Sequence, residues 1–458
     1  MAIKHEIETR EEKSCDKNKT GEKMEEREAK EMREKDGSEQ ERQIYFCIDM
    51  KCFFASVECA ERGLDPFHTP LVVADEKRGR AALCLAVSPR MKELGVKNRC
   101  RLYEIDGKIA YRIAKPRMKK YIAYAADIYE IYLRYFAPQD IHVYSIDEAF
   151  LCVTDYLKCY RTEPRKLAET LLRTIAREKG IPATAGIGTN LYLAKVALDI
   201  SAKREADGIA FLDEESYREK LWRHQPITDF WQVAAGTALR LARHGIYDMQ
   251  GVAAAPESLL RRLFGVNAEL LIDHAWGRES CTMADIHNYR GKSRSLHFSQ
   301  VLFPDYSFEK AEVVVREMLR NGCQELLRQK MVTDKIGLSV GYAKDALPSA
   351  EGSVHTTVTT NLYSAFLPSV EALYARLADR NFPIRRLTLC FYNLANESNE
   401  CYDLFTDVAA AEREKRRERT VLEIRERFGK NSLLRGIDFL EGATARERNR
   451  LVGGHNGE

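Results

Sequence analysis

The sequence predicts a multidomain protein of the α+β class, and three observations carry that expectation. The chain has 458 residues, which at about 100–200 residues per domain makes two to four units. Its N-terminal half alternates apolar, β-rich runs with helically spaced segments, and its C-terminal half reads β-α-β-β-α-β. A composition 45% hydrophobic and 31% charged excludes a disordered or fibrous chain. No apolar run approaches the ~20 residues that span a bilayer, and MAIKHEIETREEK lacks the apolar core of a signal peptide. A cytoplasmic protein with no membrane partner is therefore expected.

The first stretch, 1–43, holds 11 basic and 14 acidic residues and almost no large apolar ones, so it reads as a charged mobile tail. Order begins at Ile44. IYFCI (44–48) has the continuous apolar texture of a buried central strand ending at Asp49, and MKCFFASVECAERG reads as the helix that follows. YIAYAADIYEIYLRYF (121–136) and PRKLAETLLRTIAREKG (164–180) have helical spacing. Between these two, IHVYSIDEAFLCV (141–153) reads as one strand with Asp147 and Glu148 in its middle. TAGIGTN (184–190) is a strand closing in a Gly-rich turn before the helix LYLAKVALDISAK. From 225 to 277, short helices punctuated by glycine make a helical module, and the polar stretch 278–293 reads as a linker. Residues 294–400 supply the β-α-β-β-α-β unit, and 401–458 a charged helix with a Gly-rich polar end.

Three carboxylates stand apart because each ends or interrupts an apolar run: Asp49, Asp147 and Glu148. Adjacent like charges in an apolar strand repel unless a divalent cation joins them, and hard carboxylate oxygens suit Mg²⁺. That is a layout for two-metal phosphoryl transfer. The formal net charge is only +3, but Lys77–Tyr121 holds fourteen basic residues against three acidic ones, a local +11 with tyrosines interleaved, which reads as an electrostatic surface for phosphates. On LYLAKVALDISAK, Lys195 and Lys203 are eight residues apart and share a helix face. Lys203 is assigned a phosphate contact; Lys195 reads as a solvated or salt-bridged helix lysine. The twelve cysteines show no CxxC pair and no zinc-ligand spacing, and Cys47, Cys84 and Cys390 read as small core residues.

IDMKCFFASVE (48–58), YSIDEAFL (144–151) and GIGTNLYLAKVALDISAK (186–203) resemble the hallmark stretches of the Y-family lesion-bypass DNA polymerases, in particular the UmuC/DinB-like branch of Gram-positive bacteria. The resemblance covers roughly 44–458 and implies a right-hand polymerase: palm at 44–64 and 121–224, small fingers at 65–120, helical thumb at 225–277, and little finger at 294–400. It implies a DNA-directed DNA polymerase that performs low-fidelity translesion synthesis with two Mg²⁺ ions, primer-template DNA and deoxynucleoside triphosphates. In this family's pattern Asp49, Asp147 and Glu148 are metal ligands, joined by the Met50 carbonyl. Asp49 and Asp147 bridge both ions, and Glu148 completes the site of the ion that activates the primer 3′-OH. Phe54 is the steric gate against a ribose 2′-OH. Lys203 holds the triphosphate, Lys92 stands where many relatives have Arg, and Arg90 and Tyr103 are further nucleotide contacts. Gly236 of QVAAG, where relatives often show Gly-Ile-Gly, and Lys292 and Arg294 are the DNA contacts. Leu404 and Phe405 end a segment that resembles the family's sliding-clamp-binding peptide, with Cys401 in place of its opening Gln; an amphipathic docking segment is the alternative. A non-catalytic DNA-binding scaffold of the damage response is the alternative, and the complete carboxylate set argues against it.

Overall fold

The computed structural model describes residues 43–291, 294–343 and 346–457. The charged stretch 1–42 lies outside them, as does Lys292. The chain forms two compact units: one runs through Ser56 and resumes over Ala125–His287, and the other takes Val57–Tyr124 and Asn288 onward.

The first unit is built on a five-stranded sheet. Its strands are β1 (Tyr45–Met50), β5 (Ile141–Val143), β6 (Glu148–Cys152), β7 (Ala183–Gly188) and β8 (Ile209–Leu212), in spatial order β5-β6-β1-β7-β8. β1 is central and antiparallel to both β6 and β7, and it is buried almost throughout, as its unbroken apolar run requires. The expected single strand over 141–153 is instead a tight hairpin. The chain leaves β5 at Val143, turns through Tyr144–Asp147 and starts β6 at Glu148. A continuous strand would have forced the adjacent charges Asp147 and Glu148 into the ladder; the turn takes Asp147 out of it.

The helix Leu191–Val196 packs on one face of this sheet, and close approach sets its position. A Cβ on Gly186 would lie 2.1 Å from the Ala194 carbonyl oxygen, and one on Gly188 2.1 Å from the Ala194 nitrogen. Only glycine at both places lets the helix backbone rest on β7. The predicted continuous helix to Lys203 then widens into a π turn over Ala197–Ala202. The short helices of 225–277 share one core with it, including Tyr192, Tyr217, Phe230, Leu241, Met249 and Leu260. The first part of the expected linker is not a free segment. Residues Met283–Asn288 form a helix, and Cys281, Met283 and Ile286 pack against Tyr45, Cys47, Phe150 and Leu191.

In the second unit, a small three-stranded sheet of β2 (Leu71–Val73), β3 (Ala86–Val87) and β4 (Arg112–Ala114) has the order β3-β2-β4. The C-terminal part supplies β9 (Leu296–Tyr306), β10 (Met331–Tyr342), β11 (Ala350–Thr360) and β12 (Ile384–Tyr392), in order β11-β10-β12-β9, with helices Phe308–Arg328 and Tyr363–Leu377 after the first and third. This is the β-α-β-β-α-β unit read from the sequence. The segment after it is docked: in helix Val408–Phe428, Glu418 accepts from Gln324 Nε2 at 3.1 Å, and Arg425 donates to Gln324 Oε1 at 2.9 Å. Further on, Glu317 accepts from the Thr444 and Ala445 amides at 2.9 and 3.1 Å.

The positive segment 77–121 is partly spent on structure. Glu58, fully buried, receives Arg117 Nε and Nη2 at 2.9 and 2.7 Å, Tyr121 Oη at 2.8 Å and the Arg62 guanidinium. Lys120 pairs with Glu61 at 2.6 Å and Arg90 with Glu93 at 2.9 Å. Burial alone would raise the Glu58 carboxyl, but the hydrogen bonds from Arg117, Arg62 and Tyr121 outweigh it and hold it below the usual carboxylate range. Because the folded value is the lower one, this stabilisation is present above the unfolded-chain value of about 4.3 and fades as pH falls toward the folded value. Glu58→Ala, which leaves Arg117 without its buried partner, should cost about 3–5 kcal/mol in urea unfolding at neutral pH. Glu58→Gln should also flatten the acid limb of the stability curve below about pH 4; an unchanged acid limb would contradict the assignment.

Candidate active site

The site begins with strand register. Asp49, next to last in β1, is the cross-strand partner of Glu148, the first residue of β6, and the Met50 amide donates to the Asp147 carbonyl at 2.9 Å. The hairpin therefore brings all three sequence-predicted carboxylates together at one end of the interior strands β1 and β6. Residues two apart on a strand share a face, so Cys47 and Asp49 lie on the face that also carries Glu148 and Phe150. The helix Leu191–Val196 covers that face.

Each carboxylate has a different environment. Asp147 Oδ1 accepts from Ser145 Oγ at 2.7 Å within the turn. Glu148 Oε1 accepts from Cys47 Sγ at 3.0 Å and from Lys195 Nζ at 2.5 Å. Burial first, and then the charges of Asp147 and Glu148, push the Asp49 carboxyl up to about 7 against the opposing pull of Lys203 and Lys195. Burial and the Glu148 charge likewise raise Cys47 well above the ordinary thiol value, so it donates as a neutral S–H. Among the described residues no three His, Cys, Asp or Glu side chains converge as a ready-made metal centre. The side-chain contacts explain this: Ser145 holds Asp147 and Lys195 holds Glu148. The donor chemistry nonetheless fits a hard divalent cation. Burial and the neighbouring Asp147 and Glu148 charges both disfavour a bare carboxylate at Asp49, and a divalent cation would offset both.

Lys195, expected to be solvated or salt-bridged, is salt-bridged, and its second partner Asp199 is a neighbour of the site that sequence reasoning passed over. Lys195 is 7% exposed and also meets Asp199 Oδ2 at 3.0 Å; Asp199 Oδ1 in turn holds Lys203 Nζ at 3.1 Å. Burial disfavours the charged form of Lys195, but the Asp199 and Glu148 carboxylates beside it outweigh burial and hold its pKa above the ordinary lysine value. The signal was present in LYLAKVAL, where a lone lysine interrupts an apolar helix. Lys203, by contrast, is half exposed. Phe54 sits in the first turn of helix Phe53–Ala60, half-buried, its ring 5.8 Å from that of the fully buried Phe53.

Gly236 also lies in the first unit, in helix Ala235–Ala242, beside a cavity of about 480 Å³ lined by Trp231, Thr237, Arg240, Phe264 and His274. A Cβ on Gly236 would meet nothing within 4 Å, so sterics do not demand glycine there. The remaining candidates belong to the second unit. Arg90 and Lys92 are on helix Pro89–Glu93, Arg90 paired with Glu93 and Lys92 exposed, and Tyr103 is exposed on the turn Leu102–Glu104. Arg294 is exposed just before β9. Leu404 and Phe405 are 99% and 96% exposed, on a segment that a two-way bridge between Cys401 and Thr359 ties to the edge strand β11.

Comparison with known proteins places this geometry. The impB/mucB/samB family matches residues 48–199, the span holding all three carboxylates, Lys195 and Asp199. The chain is 30% identical over 434 residues to the putative UV-damage repair protein UvrX of Bacillus subtilis (strain 168), covering 92% of this chain and 99% of that one. It is 29% identical over 419 residues to DNA polymerase IV 2 of the same organism, covering 90% and 98%. A solved Y-family DNA polymerase chimera of Dbh and Dpo4 shares the fold at a TM-score of 0.59 and 19% identity, covering 77% of this chain and 99% of its own. No helix among the described residues is long and apolar enough to cross a membrane. With relatives aligned end to end and the carboxylates inside the matched span, the chain belongs to the impB/mucB/samB family of Y-family DNA polymerases.

Proposed function

We propose that this DNA-directed DNA polymerase extends a primer 3′-OH across damaged template bases, with low fidelity, by nucleotidyl transfer that uses two Mg²⁺ ions. The observation that supports this best is the cross-strand pairing of Asp49 with Glu148, with Asp147 in the adjoining turn. The carboxylates of Asp49, Asp147 and Glu148 and the carbonyl of Met50 would hold the ions. Bound there, Mg²⁺ would favour ionisation of the 3′-OH and neutralise charge developing on the transferred phosphate. The name of the UvrX relative, a putative UV-damage repair protein, supports damaged DNA as template.

The chain's own part is positioning and charge. Lys203 exchanges Asp199 for the triphosphate, a trade that its half-exposed ammonium can make without desolvation. Lys92, Arg90 and Tyr103 add contacts to the nucleotide; Lys92 keeps the charge of an arginine without its bidentate fork. Phe54, braced by Phe53, stands where a ribose 2′-OH would sit and selects deoxynucleotides by exclusion. Gly236, Lys292 and Arg294 contact the DNA backbone. Leu404 and Phe405, apolar and almost wholly in solvent, dock into the sliding clamp. In this reading 44–64 and 121–224 are palm, 65–120 fingers, 225–277 thumb and 294–400 little finger.

Primer extension with Mg²⁺ on undamaged and damaged templates tests the reading. Asp147→Asn should lower the extension rate more than about 100-fold, the scale of losing one preorganised electrostatic group; undiminished synthesis would place the site elsewhere. Phe54→Ala should raise ribonucleotide incorporation about tenfold or more while deoxynucleotide incorporation persists. Unchanged sugar selectivity would remove its gating role.

A further inference from the structure

We infer that Lys195 is an internal counter-cation of the metal site: its ammonium holds Glu148 while the site is empty, and a divalent cation binds by taking that carboxylate from it. This rests on the reading of Asp49, Asp147 and Glu148 as metal ligands.

The first support is occupancy. A carboxylate oxygen has two lone-pair sites in its plane, and Glu148 Oε1 has two donors, Cys47 Sγ at 3.0 Å and Lys195 Nζ at 2.5 Å. Coordination through that oxygen therefore has to displace a donor, and the ammonium is the one that a cation's charge repels. The second support is that Lys195 has somewhere to go. Asp199 Oδ2 already lies 3.0 Å from its Nζ, so the charge stays paired when Glu148 leaves.

The third support is that the position is built. Gly186 and Gly188 let the helix Leu191–Val196 settle onto β7, and i,i+4 spacing along that helix and its continuation sets Asp199 between Lys195 and Lys203. The Lys195 ammonium also lies 5.8 Å from the centre of the Tyr144 ring, whose hydroxyl accepts from Trp231 Nε1 at 3.1 Å. A lysine so nearly buried needs compensating charge. Its place beside three carboxylates makes it the charge that balances them before any metal arrives.

The test is Mn²⁺ binding to the full chain without DNA or nucleotide, followed by the EPR signal of free Mn²⁺. Lys195→Met, which keeps length and loses charge, should bind Mn²⁺ about tenfold or more tightly than the unaltered chain. Asp199→Asn, at a partly exposed position, removes the alternative partner, commits Lys195 to Glu148 and should weaken Mn²⁺ binding several-fold. Equal or weaker binding by folded Lys195→Met overturns the inference. Should that variant not fold, unchanged or tighter binding by Asp199→Asn overturns it. Asp147→Asn separates the two readings. Loss of Mn²⁺ in Asp147→Asn together with unchanged affinity in Lys195→Met refutes the counter-cation alone. No Mn²⁺ binding by the unaltered chain, or binding undiminished in Asp147→Asn, refutes the metal ligands and the counter-cation together.

Discussion

Three carboxylates held at the end of two interior strands repel one another across a medium of low dielectric, and the architecture of the first unit answers that repulsion. The β5–β6 turn removes Asp147 from the ladder, where Ser145 hydrogen-bonds it. Lys195 faces Glu148 from the helix above, and burial together with the Asp147 and Glu148 charges raises the proton affinity of Asp49. The glycines of β7 let the backbone of that helix rest on the sheet, close to the carboxylate face.

The ion pairs at the site form a chain: Glu148 to Lys195, Lys195 to Asp199, Asp199 to Lys203. Its inner end is buried and its outer end half exposed, so the cost of breaking a link falls toward solvent. A group proposed to meet triphosphate is thereby the easiest to release, and the group proposed to meet metal the hardest. In the second unit charge has a different use. Part of the +11 segment is taken up by structural ion pairs, since Arg117 and Lys120 close on Glu58 and Glu61.

Much of this was legible in the sequence. Buried strands declare themselves by continuous apolar runs, which located β1 and, inside them, the anomalous carboxylates. The β-α-β-β-α-β order of the C-terminal unit followed from periodicity alone. What stayed hidden depended on partners distant in the chain. Glu58 lies nineteen residues before the charged window opens at Lys77, so local charge counting could not pair it with Arg117. The hairpin at Tyr144–Asp147 was masked by β-favouring residues on both sides of a turn without glycine or proline. Helical spacing read Lys195 as solvated or salt-bridged; its ion pairs to Glu148 and Asp199 bear out the second, while its depth depends on two glycines on β7 that let its helix rest on the sheet. The docking of 408–448 rests on buried polar contacts to Glu317 and Gln324, a kind of packing that an apolar pattern does not report.

The relation between the carboxylates and Lys195 can be seen directly by anomalous diffraction from crystals of the protein soaked in Mn²⁺. A Mn²⁺ peak in bonding contact with Asp49, Asp147 and Glu148, with Lys195 Nζ withdrawn from Glu148 and resting on Asp199, is the expected result. Mn²⁺ bound away from these three carboxylates, or bound to them with the Lys195–Glu148 contact intact, would contradict it.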